Sequence, residues 1–321
     1  MKHLSILFLI LIIVISGCVG QDGIISSAKD GLIITDFSFE YSPIYARDNV
    51  GLRLEVQNVG GSDAEIEKIQ VYGVDFNCVD STRAWCNKGV YHTEFDGTYI
   101  GENRFLDRPN TEINFEGGKY YQEWRLKAPS GVTSETDYDF RVRVEYNYNT
   151  FYSGIIRVVD EGYLQSLSEE EKEELFSSGG IVSSELTNGP ISVTPFSGRH
   201  FILDDMEDRT IKFKIENVGK GYPYICEKDL DCVYDDTDAI KGVKKYHVRI
   251  KEITGGIIKC EGGEREIEIK LSSGESHIIY CTFMPSRVGK FTNKVDKTFQ
   301  IELEYSYYVD DSTSITVKPI Y

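Results

Sequence analysis

Three segments of this 321-residue chain recur, in the same order, in its two halves. Residues 52–60 (LRLEVQNVG) match 211–219 (IKFKIENVG), residues 118–129 (GKYYQEWRLKAP) match 274–285 (GESHIIYCTFMP) without a gap, and residues 140–148 (FRVRVEYNY) match 299–307 (FQIELEYSY). Collinear matches of this kind mark a duplicated unit, so the fold of one half must also suit the other. Within them the apolar residues take every second position. Leu52, Leu54 and Val56, like Ile211, Phe213 and Ile215, alternate with charged Arg53, Glu55, Lys212 and Lys214. Period two with a charged outer side is the pattern of an antiparallel strand that buries one face.

Residues 66–74 and 245–253 read as the strands that follow, 140–146 and 299–305 as late strands, and 154–159 and 314–318 as the strands that complete each copy. The Asn-Val-Gly ending at Gly60 and at Gly219 reads as a turn, because Asn and Gly tolerate positive φ. Many short strands with turn signals between them predict an all-β protein: two tandem immunoglobulin-like β-sandwiches, residues 32–160 and 188–321. Between them, Ser168 and Glu171 form a capping-box pattern ahead of a short polar helix to Phe176, with Gly179 and Gly180 beyond its end. This predicts a helical linker over residues 161–187.

The N-terminus carries an address. Lys2 and His3 precede an apolar run from Leu4 to Ile15, the length of a signal-peptide core and short of the roughly 20 residues that span a bilayer. The run ends in Ile15, Ser16, Gly17 and Cys18, which resembles a lipoprotein lipobox; small residues suit a peptidase groove, and the thiol of Cys18 would carry lipid. Residues 1–18 are therefore read as a signal peptide with lipobox and 19–31 as a tether, with an uncleaved anchor helix or a cleaved and released chain as the alternatives. The cysteine count agrees. Of seven cysteines, assigning Cys18 to lipid leaves Cys78, Cys86, Cys226, Cys232, Cys260 and Cys281, an even number in a compartment where disulfides persist. Their spacing predicts Cys78–Cys86 and Cys226–Cys232 as loop staples and Cys260–Cys281 as a bridge between strands. No CxxC occurs and no histidine lies at ligand spacing from a cysteine pair, which disfavours zinc.

The chain has a formal charge of −17, which becomes −18 when residues 1–17 and their one charged group, Lys2, are removed. Such a surface repels nucleic acid. The densest set of oxygen ligands is Asp229, Asp231, Asp235, Asp236 and Asp238. It opens like a calcium loop but lacks the glycine at position six and the closing glutamate, so it reads as a solvated insert or a calcium site, with no other cofactor expected. Asp204, Asp205, Glu207 and Asp208 form a second acidic run, read as a hairpin turn. His92, His200, His247 and His277 remain after the leader, and there is no GxSxG elbow, HExxH or phosphate loop, so no enzyme activity is expected. Tyr120, Tyr121, Tyr146, Tyr148, Tyr305, Tyr307 and Tyr308 suit sandwich packing, or alternatively stacking on sugars or partner anchoring.

The strand ending in Asn-Val-Gly, followed by the small-residue turn at residues 60–64 and another strand, resembles the CARDB group of cell-surface domains (cell-adhesion-related domain found in bacteria). Residues 271–280 (LSSGESHIIY) are similar to the turn that leads into that group's next strand, continuing through Pro285 and Gly289 to a final hairpin. The resemblance covers most of both copies. It implies immunoglobulin-like sandwiches on a prokaryotic or archaeal cell surface and supplies no catalytic residues. The bias to Ile, Lys, Glu and Tyr suits a thermophilic archaeon. The expected role is that of a non-catalytic protein anchored at the outer face of the cell membrane, with structural, adhesive or partner-binding work on a surface protein or glycan. The alternative is a lipoprotein that captures a small molecule, sugar or peptide; an aromatic-lined cleft between the copies would favour it.

Overall fold

The computed structural model describes residues 29–75, 78, 81–87, 104–177, 181–196, 201–202, 208–226, 243–260, 267–271 and 276–320. The first half contributes β1 (Leu32–Phe39), β2 (Ile44–Tyr45), β3 (Asn49–Asn58), β4 (Ala64–Tyr72), β5 (Val74–Asp75), β6 (Trp85–Asn87), β7 (Phe105–Leu106), β8 (Lys119–Lys127) and β9 (Thr136–Val159). Two short helices follow, α1 (Glu161–Ser166) and α2 (Glu169–Ser177), then β10 (Ile181–Leu186), β11 (Ile191–Phe196), β12 (Phe201–Ile202), β13 (Arg209–Asn217) and β14 (Tyr222–Cys226). The chain closes with β15 (Val243–Lys245), β16 (His247–Thr254), β17 (Ile258–Cys260), β18 (Ile267–Lys270), β19 (Ser276–Phe283) and β20 (Lys294–Lys318). The protein is all-β, and its described strands form three sheets.

Two strands organise it. β9 and β20 pair antiparallel from Thr136↔Val317 to Lys294↔Val159, with no break in register. At about 3.4 Å per residue this ribbon is roughly 80 Å long. Its midpoint coincides with the centre of the duplication. Asn147 lies opposite Ser306, its own counterpart in the other copy, while Tyr146 pairs with Tyr307 and Tyr148 with Tyr305. The two copies are therefore related by a local two-fold axis through that pair. The ribbon carries β4 and β7 beside β9, β14 and β15 beside β20, and β16, β18, β10, β12 and β2 along its length.

A smaller sheet packs on one face of the ribbon at each end. The first, in the order β1-β3-β8-β6-β5, places Phe39 4.9 Å and Trp85 5.3 Å from the Phe140 ring. The second, β11-β13-β19-β17, sets Phe213 5.8 Å from both Tyr152 and Phe299. Inward residues of the alternating strands, Leu52, Leu54 and Val56 and their counterparts Ile211, Phe213 and Ile215, are all buried. Burial of such side chains is worth about 1.5–3 kcal/mol each and drives the pairing of layers.

Several expectations are corrected. Residues 154–159 and 314–318 are not separate strands but the far ends of β9 and β20. Tyr152 of the first copy thus packs under the second small sheet, while Ile315 and Val317 of the second copy are buried at the first end, where Val317 pairs with Ile44. Strands are shared between the copies, so no cut between residues 160 and 188 separates two complete units. The segment 161–187 is also more than a helical connection, because β10 pairs with β9. The capping box does form: the Ser168 N–H donates to Glu171 at 2.8 Å and the Glu171 N–H to Ser168 Oγ at 3.3 Å. The ungapped match of 118–129 with 274–285 is off by one. Leu52 pairs with Trp124 and Ile211 with Cys281, which makes Trp124 equivalent to Cys281 rather than to exposed Tyr280. A one-residue slip moves every side chain to the other face, and burial decides the register. The last residues of the expected tether are docked: the Gly31 carbonyl accepts the Val59 and Gly60 N–H groups, and Asp30 accepts the Lys220 N–H at 3.1 Å.

Candidate functional site at the ribbon midpoint

The midpoint of the ribbon concentrates the buried polar groups of the molecule. On its inner side Tyr146, Tyr148, Tyr305 and Tyr307 are fully buried, with successive rings 5.8–6.2 Å apart. Each hydroxyl has a partner. Tyr146 accepts the Leu32 N–H at 3.2 Å; Tyr148 accepts the Ser62 N–H at 3.0 Å and donates to the Asn188 carbonyl at 2.7 Å. Tyr305 and Thr150 share a bond of 2.8 Å, and Tyr307 donates to Asn217 at 2.9 Å. Burial disfavours the phenolate, so Tyr148 is pushed up to about 12 and the other three are also raised. All four stay neutral and serve as fixed struts.

The Asn-Val-Gly motif has a different use from the one its composition implies. None of Asn58, Gly60, Asn217 and Gly219 has positive φ. Asn58 is buried, its amide donates to the carbonyls of Ser62 at 2.9 Å and Leu106 at 2.8 Å, and its oxygen takes the Gly60 N–H. Asn217 repeats the first bond, donating to the Gly221 carbonyl at 3.0 Å. Gly60 and Gly219 are glycines because a Cβ there would meet the hydroxyls of Tyr148 and Tyr307. The motif seats the tyrosine girdle.

The outer side of the midpoint is charged yet enclosed. Arg143 and Glu145 are each 2% exposed. Arg143 donates to Asp310 through Nε at 2.8 Å and Nη2 at 3.2 Å and lies 4.2 Å over the Tyr308 ring. Burial opposes its charge, but the Asp310 bonds prevail and hold the guanidinium protonated. Glu145 accepts from the Tyr224 hydroxyl at 3.0 Å and stands across from Lys68. Burial raises its pKa, Lys68 and Tyr224 oppose that shift, and its second oxygen has no hydrogen-bond partner. Glu67 is also raised, chiefly by burial. Asn147 bridges the copies, donating to Glu67 and accepting from Ser306 at 2.8 Å.

Two clefts flank this centre, in equivalent positions about the local two-fold axis. The first, about 540 Å³, is lined by Asp63, Glu65, Phe105, Arg108, Asn149 and Phe151 among others. The second, about 260 Å³, includes Asp30, Lys220, Tyr222, Tyr308, Asp310 and Asp311. Asn149 and Phe151 of the first correspond to Tyr308 and Asp310 of the second.

The cysteines and acidic residues singled out in the sequence lie away from these clefts or outside the described residues. Cys78–Cys86 and Cys260–Cys281 are disulfides, the latter between directly paired residues of β17 and β19. Cys226 ends β14, and its expected partner Cys232 lies outside the described residues, as do Cys18, Asp204, Asp205, Glu207, Asp229, Asp231, Asp235, Asp236 and Asp238. His92 and His200 are also outside them; His247 opens β16 with Nδ1 2.7 Å from the Lys245 carbonyl, and His277 is exposed on β19. Among the described residues no group of three or more His, Cys, Asp or Glu is placed to hold a metal, and no helix is long and apolar enough to cross a membrane. Of the seven tyrosines, Tyr121 alone is exposed. Sequence reasoning missed Arg143, Glu145, Asp310 and the cleft residues. The signal available was the repeat itself: if 140–148 and 299–307 pair antiparallel about Asn147 and its counterpart Ser306, Tyr146 meets Tyr307 and Tyr148 meets Tyr305.

No family model matches the sequence, and no curated protein matches it. Among solved structures, it is similar to a protein of unknown function from Porphyromonas gingivalis W83, at 12% identity and a TM-score of 0.18, over 91% of this chain and 100% of that one. The CupB6 tip adhesin from Pseudomonas aeruginosa matches at 7% identity and TM-score 0.14, over 90% and 94% of the two chains. The C-terminal domain of the AgI/II polypeptide BspA from Streptococcus agalactiae matches at 7% and 0.13, over 89% and 97%. Likeness at this level fixes neither fold family nor activity.

Proposed function

We propose that this chain is a non-catalytic, partner-binding protein of the cell surface. Its N-terminal segment tethers it to the membrane through Cys18, and its two immunoglobulin-like sandwiches, akin to CARDB domains, act as one interlocked rod. The observation that carries the reading is the commitment of the midpoint's reactive groups to one another. The tyrosine hydroxyls are raised and bonded, Arg143 is locked to Asp310, and Glu145 is held by Tyr224. Groups spent in this way support a scaffold. A continuous ribbon under both small sheets suits mechanical or adhesive work, since force along it is borne by a long ladder of hydrogen bonds. The open first cleft favours a recognition role within that work. Anchoring is tested by Cys18→Ser in the native host: loss of the protein from the membrane fraction, or accumulation of the unprocessed precursor, is expected. A variant that stays membrane-bound at its normal mature mass would replace the lipid with an uncleaved helix.

A further inference from the structure

The two clefts began as equivalents and now differ in what their polar groups can still do. In the second, Asp310 is bound by Arg141 and Arg143, Tyr308 lies beneath Arg143, and Asp30 holds the Lys220 backbone. The groups that replace Asn149 and Phe151 are thus occupied, and the volume is about half that of the first. In the first cleft the position of Tyr308 is taken by Asn149 and that of Asp310 by Phe151. Asp63 accepts the Arg108 N–H through one oxygen at 2.9 Å, which leaves the other open. Arg108 touches the Gly61 carbonyl with one nitrogen at 3.4 Å and has further N–H groups to offer. Asn149 donates to Glu302 at 3.2 Å, which leaves its carbonyl.

Phe105 at the rim is 63% exposed, yet it is held in place. The Arg104 guanidinium lies 5.5 Å over its ring and pairs with Glu65 at 2.8 Å. A large apolar side chain fixed in solvent beside open hydrogen-bonding groups is the composition of a ligand site, and about 540 Å³ is within the usual range for one. The chemistry narrows the ligand. Arg104 pairs with Glu65, while Asp63 and, behind Asn147 and Asn149, Glu67 and Glu302 add negative charge, so the cleft disfavours an anionic guest. Open acceptors on Asp63 and Asn149 stand beside open donors on Arg108, an arrangement met by groups that both donate and accept, as hydroxyls do. Phe105 and Phe151 supply aromatic surface in the lining, suited to aliphatic C–H groups. A molecule with an apolar C–H face and a rim of hydroxyls is a sugar ring.

We propose that the first cleft binds a neutral saccharide unit, with Phe105 as the stacking platform and Asp63, Arg108 and Asn149 as hydroxyl partners. This deepens the partner-binding reading above by naming the class of partner. The test uses the full-length protein, solubilised in a detergent without a sugar headgroup. Saturation-transfer NMR and calorimetry are run against cellobiose, lactose, N,N′-diacetylchitobiose, the charged galacturonic acid and a tetra-alanine peptide. At least one neutral disaccharide should bind. Phe105→Ala and Arg108→Ala should each weaken that binding at least tenfold, while Lys220→Ala in the second cleft leaves it unchanged. Absence of binding to all three disaccharides, binding that survives both cleft variants, or a preference for the uronate or the peptide would overturn the proposal. Cleavage of a bound sugar would instead overturn the non-catalytic reading and leave the site intact. A failure of binding with normal membrane anchoring would remove this inference alone.

Discussion

On the outer face of the first small sheet, Arg53 and Arg125 lie 3.2 and 2.8 Å from Glu40, Glu123 is 3.9 Å from each, and Lys119 pairs with Glu55 at 3.2 Å. On the second, the positions of Arg53 and Glu55 hold Lys212 and Lys214, β19 turns Ile278 and Tyr280 outward, and exposed Phe196 lies on the far side of Lys212 from Tyr280. Lys214 pairs with Glu216 at 2.7 Å and Lys212 lies 5.2 Å from the Tyr280 ring. Inward positions of the two sheets are interchangeable in kind, whereas outward positions have diverged: Arg53 keeps its charge as Lys212, Glu55 is reversed to Lys214, and Glu123 and Arg125 give way to uncharged Tyr280 and Thr282. Duplication preserved what the core requires and left the solvent face free to diverge, so the copies share a fold without sharing a surface.

The interlocking of the copies gives the sharpest way to break that comparison. Deleting residues 306–321 removes the part of β20 that lies at the first end. The first copy should then unfold although the deleted residues belong to the second, and hydrogen exchange should show loss of protection in β3 before β13. Protection that survives in β3 would mean that each copy is self-sufficient. The disulfides come next. Replacing Cys260 and Cys281 with Ala opens a loop of sequence separation 21, against 8 for Cys78 and Cys86. Loop closure alone gives costs of about 3.3 and about 2.5 kcal/mol. Urea titration should rank the second-copy bridge above the first, and the reverse order would show that native packing around Trp85 outweighs loop length.

Glu145 offers a pH test. Because burial raises its pKa, the folded protein keeps this proton to higher pH than the unfolded chain does. Its cost to stability is absent at pH below the ordinary carboxyl range and is fully present above its raised value. Glu145→Gln keeps an acceptor for Tyr224 and should be more stable than the parent above that window, with the difference fading as pH falls. A constant difference across the range would assign the effect to packing. The smallest effect belongs to the outer faces. Glu40→Gln should cost less than about 1 kcal/mol, shrinking further in 1 M salt, while Lys212→Gln costs nothing measurable. Equal, salt-independent losses would erase the contrast between the faces.

Alternation made the strands legible, and the repeat made the duplication so, because both follow from which side chains meet the core. Strand sharing was hidden by two local signals. The polar run from Asn147 to Thr150 reads as the end of a strand, but these residues lie at the two-fold centre, where Asn147 and Asn149 bond across the ribbon. Gly154 reads as a break, yet it sits within β9 because a Cβ there would come within 2.5 Å of the Phe299 ring. That ring belongs to the other copy, and no pattern inside one segment can announce it. The first cleft was illegible for the same reason: Asp63, Arg108 and Asn149 are distant in sequence and carry no periodic mark.

The shared ribbon also dictates an order of events. Loop closure between distant segments is the slow part of folding, and here the first copy's core waits for a strand that begins at Lys294. A chain delivered N-terminus first, whether from a ribosome or through a translocation channel, must hold its first half unsealed until the far end of β20 has emerged. Neither half can close early and block passage. The exposed apolar faces that accumulate meanwhile call for a chaperone or rapid completion. The same wiring that makes the finished rod a single body keeps it threadable until it is whole.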